Sequence, residues 1–115
     1  MRRQPEIIST VVTEESMRLV LRVPADLAQF DGHFPGVAML PGVAQVDWAV
    51  ERARALPGVR GRFVGLRNVK FTHVISPGAL LVLQMRRVPA SGGVTFQYTQ
   101  DGVPCSAGRI EFADD

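Results

Sequence analysis

The sequence predicts an α+β domain in which a single helix packs against an antiparallel sheet of about six strands. Apolar segments rich in β-branched residues lie before and after one segment whose apolar residues recur at helical spacing. Turn-forming residues separate these segments. The chain has 115 residues, which is enough for one hydrophobic core and too few for two. We therefore expect a single domain over residues 1–115.

The first two strands are predicted to form a hairpin. The segments EIISTVV (6–12) and SMRLVLRV (16–23) carry β-branched residues in partial alternation, and Glu14 and Glu15 lie at the turn between them. Prolines and glycines then follow one another closely over residues 24–41, around His33. This composition predicts an ordered loop rather than a regular element.

A helix of about four turns is predicted to begin at Pro41 and to stop before Pro57 and Gly58. Proline suits a first helical turn because its missing N–H would have no intrahelical partner there. The residues at helical spacing, which we expect to face the sheet, are Val43, Val46, Val50 and Ala53.

Four further strands are predicted after the helix. The apolar segments are RFVGLRNVKFTHVI (62–75), ALLVLQMRRV (79–88), GVTFQYTQ (93–100) and VPCSAGRIEF (103–112). The turn signals between them are Ser76-Pro77-Gly78, Ser91-Gly92-Gly93 and Asp101-Gly102.

Composition excludes several classes of protein. Hydrophobic residues make up 46% and charged residues 21%, as in ordinary globular domains and unlike disordered chains. The net charge is only +2 and the basic residues are scattered, so we expect no nucleic-acid partner. One cysteine, Cys105, allows neither an internal disulfide nor a cysteine-rich metal cluster. Without a signal peptide or an apolar run of membrane-spanning length, the sequence predicts a cytoplasmic protein with no membrane span.

Asp47 is unusual because it lies among valines. At about 100° per residue, it is roughly 40° around the helix from Val43 and 60° from Val50, on or at the border of the predicted core-facing side. The simpler interpretation is a half-exposed boundary carboxylate that pairs with Arg54 or another arginine. A chemical role needs further support, because burial of an unpaired charge costs several kcal/mol.

Two neighbouring residues give that support. A loop histidine such as His33 is usually a surface or capping residue, but rigid flanking prolines can aim its side chain. Gly42 opens the helix, where free N–H groups and the helix dipole favour negative charge. A base, an acid and an anion-stabilising helix start would suit proton-transfer chemistry.

The segment GHFPGVAMLPGVAQVDWA (32–49) closely resembles the signature of the 3-hydroxyacyl-[acyl carrier protein] dehydratases. In that signature an acid follows the second Pro-Gly glycine by five residues. The segments VKFTHVISPGALLVL (69–83) and GVPCSAGRIEF (102–112) are similar to later strands of the family. The segment LPGVAQVDWA (40–49) is most similar to the small thioester dehydratases of aryl-polyene biosynthetic clusters. The resemblance implies the hot-dog fold, a long helix wrapped by a curved antiparallel sheet.

The resemblance also implies roles for individual residues. His33 corresponds to the catalytic histidine and Asp47 to the catalytic acid, and Gly42 supplies the N–H that polarises the thioester carbonyl. We expect dehydration of 3-hydroxyacyl thioesters to trans-2-enoyl thioesters in fatty acid or polyene synthesis. Burial among the helix valines would favour the protonated form of Asp47, which the leaving hydroxyl requires. Residues expected to line an apolar acyl channel are Phe34, Pro35, Val43, Val46 and Phe71.

This chain departs from the common family pattern at two positions. Glu51 stands where common members have glutamine four residues after the acid, which could alter the network that orients Asp47. Ala79 stands where they usually have aspartate. Aspartate at position 47, instead of the commoner glutamate, resembles the branch that also isomerises the double bond.

The resemblance implies a substrate carried as a thioester on the phosphopantetheine of an acyl carrier protein, or on coenzyme A, and no metal or other cofactor. Candidates for docking the acidic carrier are Arg60, Arg62, Arg67, Lys70, Arg86 and Arg87, although these residues could equally be the solvated face of the strands. It further implies a homodimer with shared active sites, or a hetero-oligomer with a related hot-dog protein.

Two alternative functions remain open on the sequence. A hot-dog thioesterase would use Asp47 to activate water, although the His-Phe-Pro loop is typical of dehydratases. A non-catalytic acyl-carrier-binding module would have the hot-dog fold and bind the carrier, but would not catalyse a reaction. Among other residues, His73 is predicted to lie in a strand, Trp48 to anchor the helix and Cys105 to be a small buried hydrophobe.

Overall fold

The computed structural model describes residues 3–26 and 39–113. The elements in chain order are β1 (Glu6–Val12), β2 (Ser16–Arg22), α1 (Gly42–Ala53), β3 (Arg62–Phe71), β4 (Leu80–Val88), β5 (Gly93–Gln100) and β6 (Val103–Ala113). The predicted order of two strands, one helix and four strands is therefore confirmed. The predicted loop around His33 falls largely on residues 27–38, which lie outside the described residues.

The six strands form one antiparallel sheet in the order β1-β2-β4-β5-β6-β3. Three hairpins account for the pairs β1–β2, β4–β5 and β5–β6, whereas β3 pairs with β6, far along the chain. Among the described strands, β1 and β3 are therefore the two edges of an open sheet. The arrangement of one helix on a six-stranded antiparallel sheet confirms the predicted fold class.

The predicted turn at residues 13–15 is held by Thr13. Its N–H donates to the Ser16 carbonyl at 2.8 Å, and its Oγ1 accepts the N–H of Ser16 at 3.0 Å. These bonds close the hairpin between β1 and β2.

The core lies between α1 and the inner face of the sheet. Alternate residues of the central strands are buried there: Met17, Leu19, Leu21, Leu81, Leu83, Met85, Val94, Phe96 and Tyr98. Trp48 is 1% exposed, and its indole Nε1 donates to the Arg3 carbonyl at 3.1 Å. The prediction that Trp48 anchors the helix is thus confirmed. Cys105, also predicted to be buried, is buried in β6.

The predicted buried face of the helix was right at Ala53 and wrong at Val43. The face that packs on the sheet consists of Ala44, Gln45, Trp48, Ala49 and Ala53. Val43 is instead 75% exposed, Asp47 is exposed, and Val46 and Val50 are only half-buried at the margin of the core. The large Trp48 ring fills the space over the sheet, and the small alanines beside it let the helix backbone approach closely. Val46 and Val50 therefore lie at the margin of the buried face, and Val43 lies outside it.

Two boundaries differ from the predictions. The helix has 12 residues, about 3.3 turns rather than four. The predicted strand over 62–75 ends at Phe71, after which the Thr72 and His73 N–H groups both donate to the Cys105 carbonyl, at 2.8 and 3.3 Å. Because two successive N–H groups share one acceptor, the ladder cannot continue. His73 is therefore not a strand residue.

Within residues 3–26 and 39–113, no helix has the length and apolarity needed to cross a bilayer.

Candidate active site

A cavity of about 430 Å³ lies at the N-terminus of α1. Its lining residues are Met39, Leu40, Gly42, Gln45, Phe71, Thr72, His73 and Val74. The cavity brings together two residues that the sequence predicted for the site, Gly42 and Phe71, from elements that are distant in the chain. It is therefore the candidate site for the acyl thioester.

The start of the helix borders this cavity at Gly42. Pro41 is the N-cap, with extended backbone (φ −60°, ψ 148°), and its carbonyl accepts the N–H groups of Ala44 and Gln45 at 3.1 and 3.2 Å. No side chain caps this end and no acid lies in the first turn. The N–H of Gly42 therefore has no intrahelical partner and carries the partial positive charge of the helix dipole. It is suited to polarise a carbonyl oxygen.

Gly42 is needed for the packing of the Phe71 ring. A Cβ at position 42 would lie 2.7 Å from Cζ of Phe71 and 2.9 Å from its Cε1. Phe71 is 52% exposed, so its ring forms one wall of the cavity while resting on the helix start. Periodicity along the chain could not show this contact, because it joins the helix to the end of β3.

We expect Gly42→Ala to fold normally and to lose turnover. Alanine is favourable in a helix, so the free energy of unfolding should change by no more than about 1 kcal/mol. The half-exposed Phe71 ring must move to admit the methyl group, and displacement of a cavity wall next to the reacting carbonyl should lower kcat roughly tenfold. Steady-state kinetics and thermal unfolding measure both effects.

A second substitution separates steric displacement from other effects. In Gly42→Ala/Phe71→Leu the smaller side chain leaves room for the new methyl group, so part of the lost turnover should return relative to Phe71→Leu alone. Full activity of Gly42→Ala would show that the packing of Phe71 on the helix start has no role in turnover.

Asp47 does not line this cavity. It is exposed on the outer face of α1, in line with Val43 and Val50. The prediction that valines of its own helix bury Asp47 is therefore wrong in the single chain: Asp47 is exposed, and so is Val43 beside it. Of the predicted channel residues, neither Val43 nor Val46 borders the cavity. Residues His33, Phe34 and Pro35 lie outside the described residues.

Sequence reasoning missed three polar residues at the cavity: Gln45, Thr72 and His73. Gln45 is 3% exposed and borders the cavity from the helix. His73 borders it from the segment after β3 and is exposed. A glutamine beside Ala44 and Trp48 was a detectable signal, since a buried amide must find hydrogen-bond partners. No pattern in the sequence places His73 near Gly42.

The basic residues predicted to dock a carrier do not form one patch. Arg60 and Arg87 line a second cavity, of about 520 Å³, between the Gly58 turn and the β4–β5 turn. Within the described part of the chain, the buried Nε of Arg87 has no hydrogen-bond partner. Two others form ion pairs elsewhere. Nε of Arg67 lies 3.6 Å from Oε1 of Glu111, and Nη1 of Arg86 lies 4.0 Å from Oε2 of Glu15. Arg62 and Lys70 are exposed on β3.

Three comparisons with known proteins bear on this geometry. The family model of ApeI-like proteins, described as the ApeI dehydratase, matches residues 9–109. A solved chain of the dehydratase heterocomplex ApeI:P from Xenorhabdus doucetiae is 30% identical, covers 96% of this chain and 99% of its own, and superposes with a TM-score of 0.89. An uncharacterized protein from Erwinia carotovora subsp. atroseptica is also 30% identical, with a TM-score of 0.83 and 96% of each chain covered.

Relatives found by sequence similarity are also dehydratases. The 3-hydroxyacyl-[acyl-carrier-protein] dehydratase FabZ of Lactococcus lactis subsp. cremoris is 28% identical over 112 residues, which cover 89% of this chain and 78% of that protein. The FabZ of Erythrobacter litoralis is 39% identical over 66 residues, 49% of this chain and 43% of that protein. The matched residues and the shared fold confirm the resemblance found in the sequence: the chain belongs to the ApeI-like dehydratase family and is a hot-dog dehydratase.

Proposed function

We propose that one hot-dog domain over residues 1–115 removes water from 3-hydroxyacyl thioesters to give trans-2-enoyl thioesters, in the synthesis of a fatty acid or polyene. The observation that carries this proposal is the uncapped helix start at Gly42, which opens into a cavity walled by Phe71. In a dehydratase, such a helix start suits the thioester carbonyl.

The chemistry divides among three residues. Neutral His33 takes the proton from C2, and negative charge moves onto the thioester oxygen, where the Gly42 N–H stabilises it. The C2–C3 double bond then forms as the C3–O bond breaks. Hydroxide is a poor leaving group, so protonated Asp47 donates its proton and the hydroxyl leaves as water. The proposed reaction transfers only protons and releases water, so these protein groups suffice without a metal or redox cofactor. Phosphopantetheine belongs to the substrate.

The exposure of Asp47 supports a site completed by a second hot-dog chain. Asp47 lies beside the exposed Val43 on the outer helix face, and Val46 and Val50 are half-buried at the core margin. The edge strand β3 also exposes large apolar side chains: Phe63, Val64, Leu66 and Phe71. A partner that covers both surfaces would bury Asp47, favour its protonated form and bring it a histidine from the other chain.

The partner is a second copy of this chain in our proposal, which gives a homodimer with two shared sites. A hetero-oligomer with a related hot-dog protein is the second candidate. The observation that favours it is that the solved relative from Xenorhabdus doucetiae belongs to a dehydratase heterocomplex.

In this proposal an acyl carrier protein carries the acyl group, and coenzyme A is the alternative carrier. The proposed reaction takes place in the cytoplasm. Arg60 and Arg87, which share a cavity, are the best-supported contacts for the acidic carrier, because their guanidinium groups suit phosphate and carboxylate. The remaining docking candidates, Arg62, Arg67, Lys70 and Arg86, spread over β3 and β4.

One assay tests this function against its rivals. The protein is incubated with 3-hydroxyacyl thioesters of several chain lengths, on acyl carrier protein and on coenzyme A. A dehydratase produces the absorbance of a conjugated enoyl thioester, whereas a thioesterase releases free thiol. Tight carrier binding without either product would instead indicate a non-catalytic binding module.

A further inference from the structure

The side chain of Gln45 is a buried polar group in the first turns of α1. It is 3% exposed, so both ends of its carboxamide need hydrogen-bond partners. Its Nε2 donates to the Leu40 carbonyl at 3.2 Å, and its Oε1 accepts the hydroxyl of Ser106 at 2.6 Å. Ser106, on β6, is itself buried. One amide thus links the segment before the helix to the sheet.

The backbone of Gln45 is held as well. Its carbonyl accepts the hydroxyl of Tyr98 at 2.7 Å, and its N–H donates to the Pro41 carbonyl at 3.2 Å. Burial raises the pKa of Tyr98 far above its ordinary value, so this hydroxyl remains a donor throughout the working range of pH. Strands β5 and β6 and the chain before the helix therefore all meet at residue 45.

These bonds fix the peptide that leads into Gly42. Leu40 is held at both of its polar groups, since its N–H donates to the Ile75 carbonyl at 2.8 Å and its carbonyl accepts Gln45. On the other side of the cavity, Phe71 pairs in register with Ser106. The Gln45 amide thus joins the two structures that flank Gly42: the segment ahead of it and the strand pair that carries the Phe71 ring.

We propose that Gln45 is a positioning residue for dehydration, whose Nε2 holds the Leu40 carbonyl and so sets the position of the Gly42 N–H in the cavity, while the Ser106 hydroxyl satisfies the other end of the buried amide. This inference rests on the proposed role of that N–H in polarising the thioester carbonyl. Glutamine is required because the site needs one donor and one acceptor at this reach. Glutamate cannot donate to Leu40 when ionised, and methionine can do neither.

Three variants separate positioning from stability. Gln45→Met keeps the length of the side chain, leaves Ser106 and the Leu40 carbonyl unpaired, and should lower both the melting temperature and kcat, the latter by about 10- to 100-fold with little change in KM. Ser106→Ala keeps the bond to Leu40 and should lower kcat by less than about threefold. The double variant Gln45→Met/Ser106→Ala removes both partners of one bond, which restores much of the stability.

The double variant decides between the two roles. If Gln45 positions Gly42, kcat stays about 10- to 100-fold low although the melting temperature recovers, because the bond to Leu40 is still missing. If kcat recovers together with the melting temperature, Gln45 has only a structural role and the inference is wrong.

A second readout does not depend on turnover. The amide NMR signal of Gly42 should shift in Gln45→Met and in the double variant but not in Ser106→Ala. An unchanged Gly42 signal in Gln45→Met would overturn the inference, whatever the enzyme assay shows. A wild-type protein that dehydrates no thioester would instead overturn the proposed function.

Discussion

Asp47→Asn lowers kcat/KM for dehydration by about 10²–10⁴-fold, the usual loss when a general acid is removed. Asparagine has the same shape as aspartic acid but cannot give a proton to the leaving hydroxyl. Because Asp47 is exposed on the outer face of α1, the substitution should leave the core of the chain unchanged. The loss is measured as the initial rate of formation of the conjugated enoyl thioester, alongside the melting temperature.

Two variants control this result. Asp101→Asn removes the same charge in the β5–β6 turn, where asparagine suits the positive φ of 51°, and should retain wild-type activity. Asp47→Glu should retain partial activity, because the common dehydratases that this chain resembles use glutamate there. Near-wild-type turnover of Asp47→Asn would exclude Asp47 as the acid.

His33→Ala should lose activity to a similar extent, about 10²–10⁴-fold, because nothing then takes the C2 proton. In the wild-type enzyme the base must be neutral. An unperturbed histidine has a pKa of about 6.5, so kcat/KM should fall as the pH drops through this region and histidine becomes protonated. The measurement is kcat/KM between acidic and neutral pH for the wild type and the variant.

The matched control is His73→Ala, because His73 borders the same cavity as Gly42. We expect this variant to lose less than about tenfold, through altered packing of the cavity rather than loss of the base. A large loss in His73→Ala together with a mild effect of His33→Ala would assign the base to His73 instead.

Much of the fold could be predicted from local signals. The hairpin of β1 and β2, the helix start at Pro41 and the turn at Asp101-Gly102 all follow from residue types that act within a few positions. The pairing of β3 with β6 could not be predicted in this way, because two other strands lie between them in the chain and no single turn joins them directly.

The side of the helix that faces the sheet could not be predicted, for a different reason. Helical spacing gives the relative positions of Val43, Asp47 and Val50, but not which side faces the sheet. That choice depends on the fit of Trp48 and its neighbouring alanines, and alanine carries little hydrophobic signal. The valine stripe was a real pattern, and the exposure of Val43 beside Asp47 in the single chain is what a surface that binds another chain requires.

The site was predictable in part. Gly42 was identified from its place at a helix start, and the structure puts it at a cavity. The contact of Phe71 with Gly42 and the bonds of Gln45 to Leu40 and Ser106 depend on tertiary packing. A single sequence does not show which residues of distant segments will be in contact.

The central claim is that each active site takes its histidine from one chain and its acid from the other. It is tested most directly by mixing the two inactive variants, His33→Ala and Asp47→Asn, after partial denaturation to exchange subunits. In a mixed dimer, one site carries both lesions and the other has an intact His33 and an intact Asp47. About half of the randomly reassorted dimers are mixed, so roughly a quarter of wild-type activity should return. If mass spectrometry proves subunit exchange and no activity returns, each site lies within one chain and the claim is wrong.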